Sequence, residues 1–273
     1  MQTVGAGMQT VGALLREWRR RRGLSQLDLA IAADVSARHV SLVETGRSRP
    51  TADMVLRLAD RLDVPLRDRN RLLLAAGFAP RFAERSLGAA ALAAAQGAVR
   101  RVLESHEPYP AVVLDRRWNV LEVGRGMRPF LAGVAPDLLQ PVPNLVRLAL
   151  DPRGLAPLVA NLADVRSVFR ARILRQLAAA PDAELTALYD ELLGPSPDDD
   201  GRSRPQEGDV VLSMVVRYGG RELRLFSTMT TFTTPLDVTL DELVVESYYP
   251  ADSTTAEFLA GVGAAPMHGV ARG

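Results

Sequence analysis

Two neighbouring stretches near the N-terminus constrain this chain more than anything else in it. They are Leu24-Ser25-Gln26-Leu27-Asp28-Leu29-Ala30 and Ser36-Ala37-Arg38-His39-Val40-Ser41-Leu42-Val43-Glu44-Thr45-Gly46. Each begins at a serine whose hydroxyl can accept from the unsatisfied N–H groups of a helix's first turn, so each predicts a short capped helix. In the first, Leu27, Ala30 and Ile31 are expected inward, Ala30 being small where the second helix crosses. In the second, Val40 and Val43 sit three apart and face the core. Asp34 falls in the turn between them, and aspartate is one of the few residues that tolerate left-handed backbone. Ala37, Arg38, His39, Ser41 and Leu42 remain on the free face.

Three more helices flank this pair. One is expected from about Ala13 to Arg22, ending before Gly23. Leu14, Leu15 and Trp18 form its apolar face, and Arg16, Arg19, Arg20, Arg21 and Arg22 crowd the rest. That run reads either as a solvated face or as a phosphate-contacting one. Gly46 ends the third helix, and Arg47-Ser48-Arg49-Pro50 is a basic exit loop. Thr51 caps a fourth, carrying Met54, Val55, Leu58, Ala59 and Leu62, which stops at Val64-Pro65 because a residue before proline leaves the helical region. A fifth spans about Leu66 to Ala76, with Leu72, Leu73 and Ala76 inward. Ahead of them, Met1-Gln2-Thr3-Val4-Gly5-Ala6 recurs as Met8-Gln9-Thr10-Val11-Gly12-Ala13, which reads as a disordered lead-in with a duplicated start.

Charge separates along the chain. Residues 1–80 hold 13 Arg against 8 Asp plus Glu, a balance of +5, and the remainder holds 20 against 24, a balance of −4. A basic end on an acidic body suits a polyanion partner. The absence of cysteine excludes disulfides, thiol nucleophiles and cysteine-ligated zinc. No apolar run approaches a membrane span and no signal-peptide pattern is evident, so a cytoplasmic location without membrane partners is expected. His39, His106 and His268 are too scattered for a metal site, and Asp198-Asp199-Asp200 reads as a solvated run. No Gly-x-Ser-x-Gly elbow or phosphate loop is present. Neither catalysis nor a cofactor is expected.

The pattern Leu24-Ser25-Gln26, Ala30, Val35-Ser36, Val40-Ser41, Val43-Glu44, Gly46-Arg47 and Arg49-Pro50 resembles the lambda-repressor-like, or XRE-type, helix-turn-helix across residues 13–78. The resemblance implies an all-α domain that binds double-stranded DNA, with the second helix of the pair in the major groove. In that groove Arg38 can pair bidentately with guanine, His39 and Ser41 can donate or accept, and Ala37 and Leu42 can lie against thymine methyls. Ser36 belongs to the same edge. By the same resemblance Gln26 takes a phosphate-binding position, and Arg47 and Arg49 are expected on phosphates, where they set register without reading sequence. One short helix makes few base contacts, so a homodimer on two half-sites is expected.

Beyond Ala79-Pro80, residues 79–104 read as a connector ending in an alanine-rich helix, Leu87–Glu104, with Leu92, Val99 and Leu103 in line. Ala111–Leu114 and Trp118–Val123 read as a hairpin about Asp115-Arg116-Arg117. Gly124-Arg125-Gly126 is not a dinucleotide loop, since Pro129 stands where its third glycine belongs. Short helices are expected at Phe130–Val134 and Asn144–Leu150, and longer ones at Leu158–Ala179 and Asp182–Leu193. Pro195–Gly208 reads as a solvated loop. Val210–Val216 and Glu222–Phe232 form a second hairpin about Gly219-Gly220. Its register puts Leu212, Met214, Val216, Leu223, Leu225 and Met229 on one buried face. Leu243–Tyr249 is the last strand, and the whole is an α+β domain.

Tyr109-Pro110-Ala111, Leu114-Asp115-Arg116-Arg117-Trp118-Asn119-Val120, Thr234-Pro235-Leu236-Asp237-Val238-Thr239 and Glu246-Ser247-Tyr248-Tyr249-Pro250-Ala251-Asp252 resemble the MmyB-like ligand-binding domain. The resemblance implies a PAS-like fold over 105–253 and a fatty acid or similar apolar ligand; residues 254–273 are expected to form a partly disordered C-terminal tail. Trp118, Met127, Phe130, Leu145, Leu148, Phe169, Met214, Phe226 and Met229 are the expected liners, with Arg128 or Arg147 as carboxylate partner. The rival expectation is a constitutive DNA-binding protein whose second domain only dimerises or recruits a partner.

Overall fold

The computed structural model describes residues 9–86, 90–194 and 213–264. They form two compact units. One holds the chain up to Arg85 together with Ala178–Ala180 and Thr234–Asp241; the other holds Ser86–Leu177, Pro181–Thr233 and the chain from Glu242.

The first unit is helical: α1 (Val11–Arg21), α2 (Gln26–Ala32), α3 (Ala37–Glu44), α4 (Ala52–Arg61) and α5 (Leu66–Ala75). Thr10, Ser25, Ser36 and Thr51 cap the first four through side-chain oxygens that accept from N–H groups of the first turn. Ser25 and Asp28 exchange reciprocal bonds as a capping box. Thr10, Val11 and Gly12 therefore belong to the fold and not to a lead-in. Gly12 is buried, and a Cβ there would lie 2.3 Å from the Val43 carbonyl oxygen, so the missing side chain is what lets α1 meet the end of α3. Asp34 takes φ +54, the left-handed turn expected of it.

The inward face of α2 differs from expectation. Leu29, Ala30 and Ala33 are buried, while Leu27 is 58% exposed and Ile31 71% exposed. Leu29 and Ala33 are four apart and share a stripe. Leu27 and Ile31 each lie two residues from Leu29, about 200° round a helix, and so point away. The core joins these residues to Leu15, Trp18, Val40, Val43, Val55, Leu58, Leu62, Leu72 and Leu73. At α5 the N-cap is Pro65, which offers no side-chain acceptor; Asp241 supplies one, its Oδ2 accepting from the Leu66 N–H at 2.9 Å. In the same segment Asp237 is buried against Arg85 at 2.9 Å, and the Val238 N–H donates to the Ala83 carbonyl.

The second unit is a five-stranded antiparallel sheet, ordered β2-β1-β5-β4-β3, with helices on both faces. Its strands are β1 (Ala111–Leu114), β2 (Val120–Val123), β3 (Met214–Tyr218), β4 (Arg221–Thr231) and β5 (Val244–Pro250). The second hairpin has the expected register, Val216 opposite Leu223 and Arg217 opposite Glu222. Gly219 and Gly220 both take positive φ, as a type I′ turn requires. Leu212 and the loop 195–208 lie outside the described residues.

One face carries Val112, Leu114, Val216, Leu223 and Leu225. Against it pack α7 (Arg128–Leu131), α8 (Leu145–Leu150), α9 (Leu162–Ala179) and α10 (Ala183–Leu192). On the other face α6 (Ala93–His106) sets Val99 and Leu103 against Ala111, Val113 and Val245. This helix is thus one layer of the unit rather than a bare connector, and it begins after a single 3-10 turn at Ala90–Leu92.

The long helix starts at Leu162 and not Leu158. Asn161 behaves as a strand residue through its side chain, donating to the Ser213 carbonyl at 2.9 Å and accepting from the Val215 N–H at 2.8 Å. Just before it, Val159 pairs with Val216 as an isolated bridge at the same edge. Where a tail was expected, α11 (Ser253–Ala264) buries Thr255 and Leu259, and the Thr255 hydroxyl accepts from the Arg224 N–H.

Candidate nucleic-acid interface and ligand cavity

The placement of α3 depends on one buried ion pair. Glu44, at its last turn, is buried and receives Arg19 Nε at 2.6 Å on one oxygen and Arg19 Nη2 at 2.9 Å on the other. Gln26 Nε2 adds a bond of 2.8 Å and Arg16 a longer contact of 3.5 Å. Burial alone would raise the Glu44 carboxyl, but the bonds from Arg19 and Gln26 outweigh it and hold the group below its ordinary value. Three helices are pinned to one carboxylate.

That geometry reassigns part of the arginine run. Arg19 is structural. Arg22 is as well, donating to the Leu62 and Asp63 carbonyls at 2.8 and 2.9 Å and standing over the Trp18 ring. Arg20 and Arg21 are exposed. Gln26, expected on a phosphate, is committed in this structure to Glu44 through its amide nitrogen.

The other residues expected at the interface lie along the outer side of α3 and its exit. Arg38, Arg47 and Arg49 are exposed; Ala37, His39, Ser41 and Leu42 are half-buried beside them. Ser36 is spent on the cap, its hydroxyl accepting from the His39 N–H at 3.1 Å. At the far end Gly46 has φ +73, and the Arg47 and Ser48 N–H groups both return to the Leu42 carbonyl at 2.8 and 3.1 Å. This closing turn fixes where Arg47 leaves the helix.

In the second unit an apolar cavity of about 50 Å³, part of it open to solvent, lies between the sheet and α7 to α9. Met127, Phe130, Leu145, Phe169 and Met214, all expected as liners, line it together. Pro110, Ala149, Leu155, Leu158, Val159, Val165, Val216, Leu225 and Tyr248 complete the wall.

Four expected liners stand elsewhere. Leu148 borders a neighbouring space beside β2. Trp118 is buried edge-on to Phe169 and donates from its indole to Gln176 at 3.2 Å. Phe226 points to the opposite face of the sheet, because residues alternate along β4, and stacks there on Tyr249. Met229 has the right parity but lies four residues beyond Leu225, opposite Glu246, and is 43% exposed. Neither expected arginine reaches the cavity. Arg128 is exposed, and Arg147 forms a two-pronged pair with Glu191 at 2.5 and 2.7 Å.

Beside the cavity is a second space that shares Val165, Phe169, Met214, Leu225 and Tyr248 with it and adds Arg172, Ser213, Ser227 and Glu246. Arg172 Nη1 meets Glu246 Oε1 at 2.8 Å, and Nη2 meets the Ser227 hydroxyl at 3.3 Å. Sequence reading did not place these residues at a cavity. The available signal was parity: Glu246 and Tyr248 alternate with Val245 on a strand with both faces covered, so a charge there needs a partner in the interior.

A separate polar cluster fixes the turn between β1 and β2. Asp115 accepts from the Arg117 and Asn119 N–H groups, holding Trp118 at φ +67. Asp182 binds Arg116 and Arg117. Its burial would raise its carboxyl, but the Leu185 N–H and the two guanidinium groups bring it down to about 2. Among the described residues no group of three or more His, Asp or Glu could hold a metal ion, and no helix is long and apolar enough to cross a membrane. His268 and Asp198-Asp199-Asp200 lie outside the described residues.

Comparison with known families gives two matches. Residues 95–261 match the MmyB-like transcription regulator ligand binding domain, and residues 10–72 match a helix-turn-helix domain. One solved structure, the clp gene regulator ClgR from Corynebacterium glutamicum, is 30% identical over 37% of this chain and 94% of its own. Its TM-score is 0.23, too low to carry anything about the fold. No curated protein matches the chain.

Proposed function

The chain belongs to the MmyB-like transcription regulator ligand binding domain family, and on that premise we propose that it reads operator DNA through α3, as a homodimer, under the control of a small apolar ligand held in the second unit. A DNA-binding transcription regulator follows from the two matched domains together. The finer reading gives each part a role. Arg38 pairs with a base edge, Ala37, His39, Ser41 and Leu42 border the groove, and Arg47 and Arg49 take phosphates. The protein acts as a regulator and not as an enzyme. We read the second unit as PAS-like, supported by the strand order β2-β1-β5-β4-β3 with the cavity against one face.

The observation that carries ligand control is the cavity itself. A unit whose only task was dimerisation would gain by packing that space closed, since interiors ordinarily leave few voids larger than a water molecule. Here fourteen residues line an almost wholly apolar space, the chemistry that takes an aliphatic or aromatic body of the fatty-acid kind. Purified full-length protein, denatured and analysed by mass spectrometry, is expected to release a lipid-like molecule in stoichiometric amount. A protein that releases nothing, and takes up no aliphatic probe when refilled, contradicts ligand control and leaves a constitutive DNA-binding protein.

A further inference from the structure

The connection between β4 and β5 is longer than its geometry requires. The two strands are antiparallel neighbours, which a turn of about two to five residues can join. Yet β4 ends at Thr231 and β5 begins at Val244. The chain leaves the second unit after Thr233, belongs to the first over Thr234–Asp241, and returns at Glu242. Inside the first unit this segment is bound at several points. Asp237 is buried, its Oδ2 accepting from Arg85 and its Oδ1 from the Thr239 N–H, both at 2.9 Å. Val238 is buried too, its N–H donating to the Ala83 carbonyl, and the Thr239 hydroxyl donates to the Arg85 carbonyl. The segment ends at Asp241, whose carboxylate takes the Leu66 N–H at the start of α5, where a negative charge also suits the helix dipole.

Both ends of the segment are anchored within the second unit. Phe232 and Leu243 pack with Val99, Val113 and Val245, and Glu242 pairs with Arg116 at 3.2 Å. Little slack separates these anchors from the bonds to α5. In turn α5 places Leu72 and Leu73 in the core that also holds Trp18 of α1 and Val40 and Val43 of α3. We propose that residues 234–241 are a strap that couples the sheet of the second unit to the DNA-reading unit. Seated, the strap caps α5 and supports the core behind α3. A shift of β4 or β5 pulls on that cap, and a lost cap frays the first turn of α5. This rests on α3 being the reader of DNA, and it deepens the regulatory reading by naming the route.

Coupling between two sites is reciprocal, so the test needs no ligand. Amide hydrogen exchange is measured on the full chain, alone and saturated with the duplex it selects from a random library. Binding is expected to slow exchange in β4 and β5 as well as in the first unit. In Asp241→Ala, exchange in α5 should run roughly fivefold faster, the size of one lost helix cap, and the response of β4 and β5 to DNA should vanish. Asp241→Asn keeps an acceptor and should restore both. Should Asp241→Ala fail to fold, Gly-Ser insertions after Thr233 and after Asp241 leave the strap its bonds but slacken both leads, and they should abolish the strand response alone. A duplex that binds without any response in β4 and β5, or a response that survives in Asp241→Ala or in the slackened chain, overturns the strap. If no duplex is selected, the DNA reading falls and the strap with it, which keeps the two failures apart.

Discussion

Arg38 and Arg49 are both exposed arginines near α3, yet they answer to different physics. Arg38 projects from the first turn of the helix, where a fork of donors can meet a guanine edge. Arg49 sits in the exit loop, where the proposed docking would bring it to phosphates alone. Arg38→Ala is expected to cost roughly 1–3 kcal/mol on the selected site and to relax preference at one base pair. Arg49→Ala should weaken all duplexes alike and flatten the salt dependence. Fluorescence anisotropy on matched and mismatched duplexes separates these outcomes, and two variants that bind like the parent would refute the groove assignment.

The buried carboxylates allow sharper statements. Removing one partner of a buried pair leaves a charge uncompensated, so Glu44→Ala should destabilise the first unit by roughly 3–5 kcal/mol in urea unfolding. For Asp182 the folded value, about 2, lies below its ordinary 3.8. A depressed carboxyl contributes stability at pH above its unfolded value and loses it as pH falls through the folded one. That amounts to about 2 kcal/mol, lost between about pH 4 and pH 2. Asp182→Asn should remove this part of the acid dependence, and an unchanged pH profile would show that Arg116 and Arg117 do not hold it.

Among elements, what was legible in the sequence was whatever local chemistry dictates. The serine and threonine caps, the left-handed Asp34 and the register about Gly219-Gly220 each follow from one or two residues and hold in the structure. What depends on distant partners was not legible. The face α2 buries is set by where α3 and α4 lie, so Leu27 and Ile31 were misplaced. The delayed start of α9 needs Asn161 to meet a strand more than fifty residues away. The polar space beside the cavity needs α9, β4 and β5 brought together. Gly12 makes the point testable. Gly12→Ala drives a Cβ into the α3 backbone and is expected to destabilise by roughly 1–3 kcal/mol. Ile31→Ser, on an exposed face, should stay within about 0.5 kcal/mol. Chemical denaturation of both variants distinguishes packing from helix propensity.

At the scale of the molecule, the charge asymmetry of the sequence and the two matched domains agree: a basic reader precedes an acidic body that encloses a cavity. If two copies bind together, duplexes enriched from a random library should carry an inverted repeat with half-site centres about 10–10.5 base pairs, or a multiple, apart. Control by the cavity then becomes a coupling free energy between two sites, typically about 1–3 kcal/mol. The direct measurement is the affinity of the full chain for that enriched operator, with the cavity emptied and with it saturated by the molecule it releases. The account predicts a difference of roughly fivefold or more between the two states, and equal affinities would contradict it.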